Sequence, residues 1–150
     1  MVEIRQDDPR SPHVAALLAS HLAEQRGAVP AGFSFALGAE ALAAPDVTFF
    51  TAWSDETLAG FGALRALDGY HGEVKSMRAA LRGRGVGRAL LNHVVAEARA
   101  RGYTRLSLET GVTDYYRAAT ALYERAGFVD GEPFASYQPS PHNRFMTLAL

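Results

Sequence analysis

The chain has 150 residues, of which 48% are hydrophobic and 21% charged, so it has the size and composition of one globular domain and is not an intrinsically disordered chain. A net charge of -1 gives no support for a nucleic-acid or membrane partner, and the absence of cysteine excludes disulfides, thiolate catalysis and cysteine-ligated metal. Residues 1–5 contain no apolar signal core, and no apolar segment approaches the roughly 18 residues of a membrane span, so we expect a soluble cytoplasmic domain.

Two helices and four strands are predicted in the first half of the chain. Ser11 is a candidate N-cap, with Pro12 in the first turn of the helix that follows. Two segments rich in β-branched and aromatic residues flank a turn, which is typical of a hairpin. The predicted elements are a strand at 2–5, a helix from Pro12 to about Gly27, a short helix at 38–44, hairpin strands at 47–53 and 58–67, and a strand at 72–80.

The second half is predicted to add two helices and three strands. The first of these helices has an apolar stripe at helical spacing, formed by Val86, Leu90, Val94 and Ala98. The predicted elements are a helix from about Gly85 to Gly102, a strand at 105–109, a helix at 115–125, and closing strands at 128–129 and 145–150. This order predicts one α/β (α+β) domain over residues 1–150, with helices threaded between the strands of a mixed sheet.

The stretch "RGRGVGRALL" at residues 82–91 joins a predicted strand to a predicted helix. The first amides of a helix lack internal partners and carry partial positive charge, so a glycine-rich turn at this place is typical of an anion site. The chain contains no Gly-Lys pair, which excludes a Walker A loop, and the glycine spacing excludes a dinucleotide fingerprint. A turn whose glycines only permit tight packing is the alternative at this point.

Two motifs in this order resemble the GCN5-related N-acetyltransferases, the GNAT superfamily. Arg82, Gly85 and Gly87 match the family's Arg/Gln-x-x-Gly-x-Gly/Ala loop, and "ALYERAGF" at residues 121–128 is similar to its A-L-Y-E-x-x-G-F segment. The stretches "GEVKSMRAA", "LSLETG" and "NRFMTLAL" resemble a bacterial subgroup that includes the YsnE-like proteins. The resemblance implies a mixed, mostly antiparallel central sheet of about six to seven strands, with helices on both faces.

The resemblance also implies a function, which is acetyl-CoA-dependent transfer of an acetyl group to a primary amine by direct attack. The acceptor would be a small molecule, an amino acid or a peptide. In this family the loop amides bind the pyrophosphate of acetyl-CoA, and the preceding strand splays from its neighbour to bond the pantetheine arm. The matching positions are Lys75, Ser76 and Met77 in the strand and Arg82, Gly83, Arg84, Gly85, Val86, Gly87, Arg88 and Ala89 in the loop.

Tyr123 matches the tyrosine that commonly protonates the leaving thiolate in this family. Its alternative role is packing, because it shares a helical face with Ala119, Leu122 and Ala126. The amide of Met77 is the candidate hydrogen-bond donor to the carbonyl oxygen as negative charge develops there. Tyr123 is therefore the predicted general acid.

The general base is left open between Glu73 and Glu109, because the family places acids at both positions. Strand alternation predicts that Glu73 shares a face with Lys75 and Met77. The alternatives are a surface ion pair of Glu73 with Lys75 or an arginine, and a water chain in place of a base.

The chain departs from the family pattern at Tyr116, where many members have an asparagine that contacts the cofactor. The loop at 110–114 is also about two residues longer than in several relatives. Tyr115, Tyr116 and Arg117 are the candidate replacements for that contact, and the alternative is that the lower part of the cofactor is held differently. The five histidines lack metal-ligand spacing, and no metal is expected. His71 is either a residue at the border of the acceptor site or a solvated turn histidine.

The acceptor site is expected between the variable segments at 26–35 and 136–145. Its candidate apolar walls are Phe33, Phe35, Tyr137 and Phe145. Arg65 or Arg144 is a candidate partner for an acceptor carboxylate. Homodimers are common in the family.

Two alternative functions remain open. One is a non-catalytic CoA-binding or sensing module on the same fold, and the other is a different phosphate-ligand domain, such as a nucleotide binder.

Overall fold

Seven strands form one sheet across residues 1–81 and 83–150, which are the residues that the computed structural model describes. The predicted role of Arg82 lies outside the described residues. The elements in chain order are β1 Val2–Gln6, α1 Pro12–Ala28, α2 Ala39–Leu42, β2 Val47–Ser54, β3 Thr57–Ala66, β4 His71–Ala79, α3 Val86–Ala100, β5 Arg105–Gly111, a 3-10 turn Asp114–Tyr116, α4 Arg117–Arg125, β6 Val129–Asp130 and β7 Asn143–Ala149.

The strands lie in the order β1-β2-β3-β4-β5-β7-β6. Every neighbouring pair is antiparallel except β4 and β5, which are parallel. A parallel pair needs a crossover connection, and α3 supplies it between β4 and β5. The predicted mixed, mostly antiparallel sheet of six to seven strands is confirmed.

The pairing of β4 with β5 covers only the beginning of both strands. It joins residues 71–73 of β4 to residues 105–107 of β5. Beyond Glu73 and Ser107 the two strands diverge, although β4 continues to Ala79 and β5 to Gly111. The divergence opens a V-shaped gap in the middle of the sheet, and this is the splay that the resemblance implies.

Helices cover both faces of the sheet because their apolar stripes match the helical period. On one face α3 contributes Val86, Leu90, Leu91, Val94 and Ala98 to the larger core cluster. On the other face α1 and α2 pack Val14, Leu18 and Leu42 against Phe49 and Phe61 of the sheet. Among the described residues, no helix combines the length and the apolar character needed to cross a bilayer.

Two helix starts differ in detail from the sequence prediction. Ser11 occupies the N-cap position of α1, but its side chain makes no capping hydrogen bond. The helix predicted at 115–125 begins as the 3-10 turn Asp114–Tyr116 and becomes α-helical at Arg117. The tighter turn places two consecutive tyrosines, Tyr115 and Tyr116, beside α1.

Candidate active site

Two cavities lie beside the gap between β4 and β5 and share one wall. The outer groove, of ≈ 620 Å³, extends from the glycine turn before α3 to α4. The inner cavity, of ≈ 90 Å³, lies between β4, β5 and residues 33–36. The residues that line both are His21, Gln25, Met77, Tyr116, Ala119 and Tyr123. A ligand that fills the outer groove therefore reaches the mouth of the inner cavity.

The glycine turn lies at one end of the outer groove. Gly83 and Gly85 have φ of 71° and 70°, the left-handed conformation that glycine adopts without strain. Gly85 is the N-cap of α3, and the first helical hydrogen bond runs from the amide of Ala89 to its carbonyl. The amide of Ala89 is thus used inside the helix, whereas those of Val86, Gly87 and Arg88 precede the helical ladder. This arrangement fits an anion at the helix start.

The predicted cofactor residues are largely brought together. In the loop, Gly83, Gly85, Val86, Gly87 and Arg88 line the outer groove. Lys75, Ser76 and Met77 of β4 line the inner cavity, and Met77 and Tyr116 line both. Arg84 is exposed beside the turn and is not among the lining residues, and neither is Ala89.

A β-bulge at Ser76 changes the direction of β4 inside the site. Lys75 lies opposite Ala63 and Arg78 opposite Phe61, so one more residue is present on β4 than on β3. Ser76 has a φ of 56°, a backbone conformation that is uncommon for residues other than glycine.

The bulge reverses the face on which Met77 lies. A Cβ added to Gly62 would lie 2.6 Å from Met77 Sδ, and Met77 packs against the cluster formed with α3. The side chains of Glu73 and Lys75 lie on the other face of β4, where both are joined to Tyr137. The prediction that Met77 shares their face is wrong, because the extra residue shifts the alternation by one.

Glu73, Lys75 and Tyr137 form a polar cluster beside the inner cavity. Glu73 and Lys75 line the cavity, whereas the predicted wall residues Tyr137 and Phe145 are not among its lining residues. Tyr137 Oη donates to Glu73 Oε2 at 2.5 Å and accepts from Lys75 Nζ at 2.5 Å. Lys75 Nζ lies 3.6 Å from Glu73 Oε2. Glu73 is 1% exposed and Lys75 is 9% exposed. The ion pair between them, which the sequence suggested as a surface pair, is therefore buried.

Glu109 reaches the inner cavity from β5 and is more accessible than Glu73. Burial raises the pKa of its carboxyl above the ordinary value, and the positive charge of Lys75 opposes that shift. A carboxyl with a raised pKa holds a proton at higher pH than an exposed one. Glu109 is therefore better suited than an ordinary glutamate to accept a proton near neutral pH.

Tyr123 is both a core residue and a wall residue. It packs against Phe128 in the larger core cluster, with ring centroids 5.8 Å apart, and it lines both cavities. Burial raises the pKa of its hydroxyl well above the usual range. A tyrosine hydroxyl is protonated at neutral pH and so has a proton to donate, although the raised pKa makes this one a weaker acid than an exposed tyrosine.

The 3-10 turn is hydrogen-bonded to α1 beside the wall that the two cavities share. Tyr116 Oη donates to Gln25 Oε1 at 2.8 Å, and Tyr115 Oη donates to Glu24 Oε2 at 3.3 Å. Burial raises the pKa of Tyr116 to about 12. The ring of Tyr116 lies directly over Gly111, where any Cβ would collide with it.

His21 and Gln25 are site residues that sequence reasoning missed. His21 follows Val14 and Leu18 in the buried stripe of α1, so its spacing is that of a core residue. The only sequence feature that could have indicated a role in the site is the polar side chain at this position. Burial, with a contribution from Arg78, lowers the pKa of its imidazole to about 4. The ring is therefore neutral at pH 7.

Unpartnered polar atoms mark the two cavities. Within the described residues, four buried side-chain atoms have no hydrogen-bond partner, and all belong to residues that line a cavity: His21 Nδ1, Glu73 Oε1, Ser76 Oγ and Arg78 Nε. Such atoms are rare in folded proteins. Their concentration here is evidence that the cavities accept a polar ligand.

Three other predicted residues do not line the inner cavity. Arg65 pairs with Asp46 at 3.2 Å and with Glu73 at 3.6 Å. Arg144 pairs with Asp130 and Glu124 beside a separate surface cavity. His71 bonds Ser107 Oγ at 2.7 Å. None of the three is among the residues described as lining the inner cavity.

Comparison of the sequence with known proteins identifies the family to which this chain belongs. The model of the acetyltransferase (GNAT) family matches residues 6–128. The chain belongs to this family. It is 46% identical over 153 aligned positions to the uncharacterized N-acetyltransferase YedL of Escherichia coli K12, with 100% of this chain and 96% of YedL covered. It is 44% identical to the uncharacterized N-acetyltransferase YsnE of Bacillus subtilis, with 99% and 100% covered. The protein is thus a GNAT N-acetyltransferase.

Solved structures agree with this GNAT assignment. A Klebsiella pneumoniae protein described as an acyl-CoA N-acyltransferase has a TM-score of 0.80 and 31% identity, with 100% of this chain and 98% of that chain covered. A GNAT acetyltransferase from Elizabethkingia anophelis, solved with acetyl-CoA bound, shares the fold at a TM-score of 0.69 and 18% identity, with 99% and 98% covered. The second comparison concerns the fold alone.

Proposed function

We propose that this acetyltransferase moves the acetyl group of acetyl-CoA to a primary amine of a small molecule, amino acid or peptide by direct attack. The observation that carries the proposal is the junction of the two cavities at Tyr123 and Tyr116. A donor in the outer groove and an acceptor in the inner cavity would meet there. Direct attack needs both reactants in contact at one point.

The residues of the outer groove fit acetyl-CoA, which supplies the acetyl thioester when bound. The amides of Val86, Gly87 and Arg88 at the start of α3 would bind the pyrophosphate, together with the turn at Gly83 and Gly85. The β4 amides of Lys75, Ser76 and Met77 lie beyond the pairing with β5, where the pantetheine arm could bond to them. A role for Arg82 in the same turn is retained from the family motif.

Glu109 is the proposed general base. An amine at neutral pH is mostly protonated, with a pKa of roughly 8 for an α-amine and about 10.4 for lysine, so it must lose a proton before attack. The Glu109 carboxylate faces the inner cavity and has a raised pKa, which reduces the mismatch with the amine. Glu73 is a weaker candidate because it is 1% exposed and hydrogen-bonded to Tyr137.

Tyr123 and the amide of Met77 are proposed to complete the transfer. The amine nitrogen forms a bond to the acetyl carbon, and the carbon–sulfur bond breaks. The Met77 amide would bind the carbonyl oxygen while negative charge develops there. The sulfur takes the departing electron pair and receives the proton of Tyr123 Oη. Glu109 takes one proton from the ammonium before attack, and the second proton that the nitrogen loses as the amide forms returns to Tyr123 Oη, so protons and electrons balance.

An amine screen with a thiol-release readout tests this function. Acetyl-CoA is expected to raise the melting temperature, and at least one primary amine is expected to release CoA with formation of its N-acetyl product. Acetyl-CoA binding with no CoA release from any amine would contradict the proposed transfer and favour a CoA-binding module. Competition by ATP or NAD at the same site would contradict the donor assignment.

A further inference from the structure

Only some of the charged side chains in the wall of the inner cavity are free to interact with a ligand. Its described lining contains two carboxylates, Glu73 and Glu109, and one lysine, Lys75. Glu73 and Lys75 are joined through Tyr137 and lie 3.6 Å apart, so they largely neutralise one another. Glu109 is the remaining charged group that faces the cavity.

Two arginines near the inner cavity are also paired with carboxylates. Arg65 pairs with Asp46 and Glu73, and Arg144 pairs with Asp130 and Glu124. Among the residues described around the inner cavity, every lysine or arginine is therefore already paired with a carboxylate. An acceptor carboxylate would find no available cation there.

Apolar and aromatic side chains form the opposite wall of the inner cavity. Phe33, Phe35 and Val29 line it, and His142 packs edge-on against Phe33 with ring centroids 4.6 Å apart. Phe35 packs edge-on against Tyr137 at 5.4 Å. This wall favours a compact, uncharged body on the acceptor, because apolar surface gains free energy when it leaves water.

We infer that the inner cavity selects compact primary amines with an uncharged body and discriminates against free α-amino acids. The inference rests on the proposed function and narrows its acceptor. The amine would lie toward Glu109 and the body toward Phe33 and Phe35. A carboxylate beside the amine would lie near Glu109 and the Glu73 pair, where a charge without a partner is costly.

Matched acceptor sets test the inference on the full-length wild-type chain. Each set contains an amine, the corresponding α-amino acid and the amino acid amide: ethylamine, alanine and alaninamide, and phenethylamine, phenylalanine and phenylalaninamide. The amine and the amide are expected to exceed the amino acid in kcat/KM by at least about tenfold, because only the amino acid brings an unpaired carboxylate. Equal or better use of the amino acids would overturn the inference.

A pair of variants tests whether charge causes the selectivity. His142 lines the cavity from the loop before β7 and is only partly buried. His142→Arg adds a cation without a designed partner and is expected to reduce the amine-to-amino-acid ratio severalfold, whereas His142→Gln is expected to leave it unchanged. A folded His142→Arg protein with an unchanged ratio would count against the charge explanation.

A binding measurement separates failure of this inference from failure of the proposed function. The same ligands are added to the CoA-loaded protein, and the shift in melting temperature is recorded. Stabilisation by the amines and amides but not by the amino acids, without any turnover, would support the selectivity and contradict the transfer. Absence of stabilisation by every amine, or stronger stabilisation by the amino acids, would overturn the selectivity.

Discussion

Tyr137 Oη donates a 2.5 Å hydrogen bond to Glu73 Oε2 and so joins the loop before β7 to β4. The same hydroxyl accepts from Lys75, and the ring packs against Phe35 and Phe134. One side chain thus links β4 to both variable segments that surround the inner cavity. This contact holds together the segments around the inner cavity.

Tyr137→Phe is expected to loosen the acceptor site without affecting acetyl-CoA binding. The substitution removes the oxygen shared by Glu73 and Lys75 and leaves buried polar groups unsatisfied, which costs about 1–3 kcal/mol of unfolding free energy. Denaturant unfolding measures the loss, and steady-state kinetics should show a raised KM for the amine. Tyr70→Phe is the control, because that ring is 70% exposed and the change should be neutral.

Tyr123→Phe is expected to lower kcat by about 10²-fold or more, because the departing sulfur loses its proton donor. The affinity for acetyl-CoA should change little, since the ring still packs against Phe128. Thiol release and calorimetric binding measure the two quantities separately. Tyr103→Phe, another buried tyrosine of the larger core cluster, is the control. Unchanged turnover in the Tyr123 variant would remove Tyr123 from the mechanism.

Glu109→Gln is expected to remove the acidic limb of the pH profile. Burial raises the pKa of Glu109, and the base must be deprotonated, so kcat/KM should rise with pH through a value above the ordinary 4.5 of glutamate. The variant should be slow and lack that limb, whereas Glu132→Gln at an exposed position should retain it. An identical limb in the Glu109 variant would assign the titration to another group.

Gly85→Ala is expected to weaken both the start of α3 and the binding of acetyl-CoA. The residue has a φ of 70°, and a Cβ in the left-handed conformation costs about 1–2 kcal/mol. Relief of this strain would turn the amides of Val86 and Gly87 away from the groove. The matched control is Gly27→Ala in α1, where open space surrounds the new methyl group and a stabilisation of about 0.5–1 kcal/mol is expected.

His21 is expected to make the fold less stable in mild acid. Its pKa is lowered to about 4 in the folded protein from about 6.5 in the unfolded chain, so the unfolded chain takes up the proton first as the pH falls. This contribution is complete above about pH 6.5 and is lost toward pH 4, by up to about 3 kcal/mol. His21→Phe should reduce the loss measured by unfolding at pH 7.5 and pH 5. An unchanged loss in the His21→Phe protein would assign the acid sensitivity to another group.

Local patterns in the sequence predict most of the elements. The stripe of α3, the hairpin of β2 and β3 and the glycine turn before Val86 depend on side-chain period and backbone freedom, and both can be read from neighbouring residues. The family motifs also pointed to Tyr123, Glu109 and the glycine turn as residues of one site. The structure brings them to the two joined cavities.

Other features of the site depend on contacts between distant residues. The bulge at Ser76 reverses Met77, and no local pattern in β4 indicates an extra residue relative to β3. His21 has the spacing of a core residue, and Tyr137 lies in a loop without periodicity. Period and propensity describe a single segment, so they cannot predict which segment will pack against it.

The sequence by itself determined the family, the order of the elements and the turn that exposes the first amides of α3, because these depend on residues close together in the chain. Only the tertiary structure decided which charged groups face the inner cavity. It paired Arg65 and Arg144 with carboxylates, buried Glu73 under Tyr137 and left Glu109 facing the cavity. The free energy of a charge depends on its spatial neighbours and its distance from water, and folding sets both.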